Sequence, residues 1–141
     1  MKRELEQALV GKYPQLFADY GAPPDRSPMA FGFECGDGWF DLLDTLCAQL
    51  MVLGPATDGE GSAEPLRAMQ VKEKYGTLRF YAGPATDEAF AVIHFVEALS
   101  ARICETCGNK GHTRGVGWLK TLCDACAERE GYDDVPVEEM P

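Results

Sequence analysis

The sequence predicts an α+β fold: three helices packed on a β-hairpin, with a small cysteine-rich module toward the C-terminal end. Three patterns lead there. Apolar residues recur at helical spacing in three stretches, one stretch alternates with a two-residue period about a turn, and four of the six cysteines fall into two Cys-x-x-Cys pairs. With 141 residues, 45% hydrophobic and 26% charged, the chain is long enough for one domain with its own core, and its composition is that of a folded protein.

Residues 2–20 read as one or two short helices, because Leu5, Ala8 and Leu9, and then Leu16, Phe17 and Tyr20, share helical spacing. Pro14 suits a first turn and Gly21 a stop. Pro and Gly punctuate residues 21–38, which predicts an ordered loop with a short extended piece over "AFGFE". A second helix is expected from Gly38 to Leu53, with Asp37 as N-cap and Gly54-Pro55 as terminator. Phe40, Leu43, Cys47 and Leu50 line one face of it, while Asp41, Asp44, Thr45 and Gln49 take the other. The polar, small-residue stretch "GPATDGEGSAEP" is predicted to be the most flexible part of the body. "AMQVKEKYGTLRFYAG" predicts a hairpin turning near residues 74–76, with Met69, Val71, Leu78 and Phe80 buried and Gln70, Lys72, Arg79 and Tyr81 outward. A third helix is expected from Thr86 or Asp87 to about Arg102, burying Ala89, Val92, Val96, Leu99 and Ile103. No Pro/Gly/Ser-rich spacer follows it, so residues 1–100 form an acidic body, 101–132 a module continuous with the third helix, and 133–141 an acidic flexible tail.

The module is "ICETCGNKGHTRGVGWLKTLCDACAERE". Zinc takes four tetrahedral ligands, and a two-residue spacing lets both sulfurs of a pair reach one ion from a tight turn. Cys104 and Cys107, followed by Gly108, suit such a turn. Cys123 and Cys126 suit the first turn of a short helix ending at Gly131, where the helix N-terminus favours thiolate charge. Knuckle, glycine-rich hairpin and helix together resemble a treble-clef zinc finger, and the matched pairs predict one structural zinc on Cys104, Cys107, Cys123 and Cys126. An iron–sulfur cluster uses the same four ligands. Free cysteines or a redox pair are the plainer alternatives, and neither accounts for two matched pairs. A catalytic zinc keeps a position open for water, and four thiolates leave none, so hydrolysis at this site is not expected. Cys47 reads as a small core residue, with Cys35 able to approach it. His112 and His94 read as surface histidines rather than ligands.

Thirteen basic against twenty-three acidic residues give a net charge of −10. A surface this acidic repels phosphate backbones, which disfavours nucleic acid and favours a protein partner with a basic surface. The start of the chain lacks a signal-peptide core, and no apolar window is long enough to span a bilayer, so the expected location is the cytoplasm, where cysteines stay reduced. Outside the cysteines, Asp37, Asp41 and Asp44, with Glu34 nearby, form a carboxylate cluster that could hold Mg²⁺. The alternative is a helix cap and a solvated acidic face. Lys72, Arg79, Tyr81, Arg114, Trp118 and Lys120 form a candidate basic and aromatic patch for nucleic acid or a partner. A nucleic-acid-binding or Mg²⁺-dependent nuclease-like protein would use these two features. The phosphate-loop, dinucleotide-loop, nucleophile-elbow and His-Glu-x-x-His motifs are all missing, so enzymatic activity has no recognised site.

The strings "FECGDGWFDLLDTLC", "VKEKYGTLRFY" and "CETCG … GWLKTLCDAC" resemble small proteins that recur in phage and prophage genomes. The resemblance covers about residues 31–126. It implies an accessory protein of the host-cell cytoplasm with a zinc site on the four paired cysteines, and it carries over no catalytic residue. Together with the charge, it leads to the expectation of a non-enzymatic inhibitor or adaptor acting on host or phage nucleic-acid machinery, such as a defence system.

Overall fold

The first helix, α1 (Arg3–Lys12), ends because Pro14 disfavours helical geometry at the residue before it. Tyr13 accordingly leaves the helix at φ −127° and ψ 61°. The computed structural model describes residues 1–61 and 63–134. Within it one of the one or two expected short helices forms, and residues 14–21 run as successive turns that still bury Leu16 and Phe17. Residues 135–141 of the predicted acidic tail lie outside the described residues.

The extended piece expected in the Pro/Gly loop is shorter than "AFGFE". It is strand β1 (Phe33–Glu34), preceded by a 3-10 turn at Pro28–Phe31. Glu6 on α1 fixes its start, accepting from Phe33 N–H at 2.9 Å and from the Tyr20 hydroxyl at 2.8 Å. The predicted hairpin forms as β2 (Arg67–Lys74) and β3 (Thr77–Gly83), turning through Tyr75 and Gly76, both at positive φ. It is not a free-standing ribbon. β1 pairs in parallel with β2, giving a three-stranded sheet in the order β1-β2-β3.

One predicted core residue is outside. The register shifts between Ala68 and Gln70, so Met69 is 46% exposed and Ala68 is buried in its place. A bulge of this kind reverses the facing of the residues on one side of it. On the far side of the bulge the alternation holds, with Val71, Leu78 and Phe80 buried.

Helix α2 (Phe40–Leu53) and helix α3 (Asp87–Ser100) pack on each other, and α3 also packs on β3. Thr86 caps α3 by accepting from Ala89 N–H at 3.1 Å. The buried stripe of α3 is rotated from the predicted one, with Ala89, Ile93, Val96 and Ser100 deepest and Val92, Leu99 and Ile103 at its margin. The rotation has a polar cause. Ser100 Oγ accepts from Leu78 N–H and Glu97 Oε2 accepts from Phe80 N–H, each at 2.9 Å, so two side chains of α3 satisfy the open edge of β3.

Asp37 does not cap α2. Residues Asp37–Trp39 form a 3-10 turn entering the helix, and Asp37 Oδ1 accepts from Lys2 N–H at 2.7 Å instead. The rest of the chain forms β4 (His112–Arg114), β5 (Lys120–Leu122) and α4 (Asp124–Glu130), giving four α-helices and two small sheets among the described residues. No helix among them is long and apolar enough to cross a membrane.

Asp44 joins α2 to the end of α1, accepting from the Tyr13 hydroxyl at 2.6 Å and Lys12 Nζ at 2.9 Å. Both bonds favour the ionised carboxylate, the Tyr13 bond most, and hold its pKa below the ordinary range. The stabilisation is therefore present above about pH 4, the ordinary aspartate pKa, and is lost as pH falls through the lowered one. Tyr13→Phe should cost about 1 kcal/mol at neutral pH. Urea unfolding of both proteins across pH 2–7 checks this, and the gap should close in acid.

Candidate metal centre

Two separate turns deliver the cysteines. Cys104 and Cys107 sit on a knuckle closed by Gly108 N–H donating to Cys104 O at 2.9 Å and Cys104 N–H donating to Asn109 O at 2.7 Å. Gly108 has φ +83°, and a Cβ there would come 3.1 Å from Gly38 O. Cys123 caps α4, its sulfur accepting from Cys126 N–H at 3.4 Å, and Cys126 lies one turn in. β4 and β5 join the two turns, with Leu122, Cys104, Cys126 and Ala127 forming a small core of their own.

All four sulfurs lie within 4.8 Å of one another, and those of Cys107 and Cys123 are 3.6 Å apart. A tetrahedral set at a Zn–S distance of about 2.3 Å puts its sulfurs about 3.8 Å apart. Disulfides need about 2.05 Å, and all six cysteines are free thiols. The donor set therefore fits one soft or borderline metal ion. The local field helps Cys123 most. The Cys126 backbone N–H pulls its pKa down to about 7, whereas burial pushes that of Cys126 up to about 12 against the Arg129 guanidinium, which donates to its sulfur at 2.8 Å. Metal binding must displace that proton, so affinity falls with falling pH.

The knuckle is built into the body. Gly38 N–H donates to Glu105 O at 2.7 Å, Gly36 N–H to Glu105 Oε2 at 2.8 Å, and the buried Trp39 indole N–H to Ile103 O at 2.8 Å. A Cβ on Gly38 would fall on Cys104 O and come 2.5 Å from Gly108 N, and one on Gly36 would fall on Glu105 O. A second seam joins the hairpins, where the Thr121 hydroxyl donates to Gly76 O at 2.6 Å. Glu105 N–H donates to Thr121 O at 2.9 Å and ties the two seams together. Gly36, Gly38, Trp39 and Glu105 are site residues that spacing did not reveal. The signal for the first three was the clustering of small residues before a tryptophan, and Glu105 had none beyond its place between two paired cysteines.

The other predicted site residues disperse. Asp37 is held by Lys2, Asp44 by Tyr13 and Lys12, and Asp41 is exposed at the side of a groove between α2 and α3, so the predicted acidic cluster gathers no ion site. Among the described residues the cysteines are the one group whose donor atoms converge. Arg114 is 4% exposed and clamps the module, donating to Leu122 O, Asp124 and Asp134. Lys120 donates to Glu130 at 2.6 Å. His112 pairs with Asp134 and is no ligand. Lys72 and Arg79 are opposed across β2 and β3, with Glu34 beside Lys72, and Tyr81 opposes Gln70. Trp118 is 75% exposed and lines a shallow cleft with Lys74 and Tyr75, where the hairpin tips meet. Of the predicted patch, Arg114 and Lys120 are thus engaged within the module. Cys35 and Cys47 are free and buried, with burial pushing the Cys35 thiol up to about 12.

Two results are expected. Cys104→Ser or Cys126→Ser should bind less metal and melt earlier, since binding and folding are coupled. Full metal content at an unchanged melting temperature would contradict the four-cysteine centre. Gly38→Ala should cost about 1–3 kcal/mol through backbone overlap. Gly11→Ala, on the open face of α1, should instead gain about 0.5–1 kcal/mol in the same thermal melts.

No protein-family model, curated protein or solved structure matches the chain, so what this centre does has to be argued from its own chemistry.

Proposed function

We propose that the chain is a non-enzymatic binding protein that carries one structural zinc on Cys104, Cys107, Cys123 and Cys126 and engages a protein partner with a basic surface. The observation that supports this is the convergence of four thiols on one point, with the knuckle locked into the body. Zinc with four thiolates cross-links chain segments and offers no place for substrate or water. Knuckle, short hairpin and cysteine-bearing helix follow the order of a treble clef. The net charge of −10 supports a basic partner, and the internal pairing of Arg114 and Lys120 weakens the nucleic-acid reading. The three strings that resemble small phage proteins support an accessory role, as inhibitor or adaptor acting on host or phage nucleic-acid machinery.

Elemental analysis of freshly purified protein should give one zinc per chain. Iron would overturn the metal assignment. Labelled DNA and RNA titrated at low salt, where electrostatic binding is strongest, should not bind, and salt-sensitive binding would move the reading to a nucleic-acid protein. In-cell cross-linking of the full chain should recover a basic protein.

A further inference from the structure

The body carries an apolar groove that no other element covers among the described residues. It runs between α2 and α3, holds about 450 Å³, and is lined by Leu42, Leu46, Val92, Phe95, Leu99 and Ile103. Gly38 and Gly108 close one end, so the groove abuts the metal knuckle. Phe95, 68% exposed, stands on its rim. An aromatic side chain left in water beside a trough of aliphatic ones is the arrangement of a recognition surface.

Charge selects the occupant. α2 and α3 together carry Asp41, Asp44, Asp87, Glu88 and Glu97 and neither lysine nor arginine. Asp44 and Glu97 are engaged elsewhere. Asp41 is the one charged residue lining the groove, and it makes no ion pair among the described residues. A ligand that fills the trough and answers this rim is apolar on one side and cationic at its margin. A second copy of the chain would instead bring two Asp41 carboxylates and two acidic helix pairs together, at an electrostatic cost.

We propose that the α2–α3 groove docks a basic amphipathic helix of a partner protein, with apolar side chains against Val92, Phe95 and Leu99 and a lysine or arginine against Asp41. This deepens, and rests on, the reading of the chain as a binder of a basic protein. Docking is a helix laid in a groove, read through anchors at i, i+3, i+4 and i+7.

The test uses the full chain and a fluorescent 18-residue helix with leucines at those anchor positions and lysines elsewhere, followed by anisotropy at low salt. Wild type should bind it, and a version with glutamate in place of lysine should bind at least about tenfold less tightly, since like charges at the rim oppose docking. Asp41→Lys and Phe95→Ser should each weaken the lysine helix about fivefold or more, with metal content and melting temperature unchanged. Equal affinity of wild type and both variants, equal binding of the two helices, or no binding at about 100 µM would overturn the proposal. So would a dimer in sedimentation that Phe95→Ser abolishes, which would make a second copy the occupant. A basic protein cross-linked equally by wild type and both variants would remove the groove and leave the proposed function standing. No basic protein cross-linked at all would remove both.

Discussion

The close approach of residues 36–39 to the knuckle at 103–108 is the constraint on which the rest of the structure depends. Backbone lies directly against backbone there, because neither Gly36 nor Gly38 has a side chain to hold them apart. Three hydrogen bonds from one short loop then reach the carbonyl and Oε2 of Glu105 and the carbonyl of Ile103. Trp39 fills the corner beneath, fully buried, with its one polar atom paired. The same loop leads into α2, so the direction of that helix and the position of the metal knuckle are set together.

This coupling gives a four-cysteine centre a second consequence. A module with so small a core of its own would gain most of its cohesion from an ion held by the four cysteines. Here the turns also carry body contacts, through Gly38, Trp39 and the Thr121 to Gly76 bond. The cysteine cluster, knuckle, hairpin tip and the end of the α2–α3 groove are joined by direct contacts. Burial pushes the Glu105 carboxyl above its ordinary range, against the opposing pull of the Gly36 N–H and Lys120, and one of its oxygens lies buried without a hydrogen bond. The seam therefore keeps a costly polar group in order to keep its geometry.

The charge pattern follows the same division of labour. Three of the module's cations are engaged internally: Arg114 by Asp124 and Asp134, Lys120 by Glu130, and Arg129 at a ligand sulfur. Body acids are not all answered in this way, and Asp41 faces the groove.

Much of this was legible in the chain because its causes are local. The two Cys-x-x-Cys pairs determined which residues converge, since ligand spacing is a property of a single turn, and apolar period determined α2, α3 and the β2–β3 hairpin. Tertiary structure alone decided the rest. Met69 is outside because a bulge shifts its register, and Asp37 is no cap because Lys2 takes its carboxylate. The α3 stripe is turned because Glu97 and Ser100 answer the edge of β3. Only the fold shows that Gly36 meets Glu105, a hydrogen bond between residues 69 positions apart, or that β1 adds a strand to the hairpin. Period and spacing report what a segment does with its own neighbours, whereas a buried polar group takes whichever partner the packing brings within reach, and no local pattern records that choice.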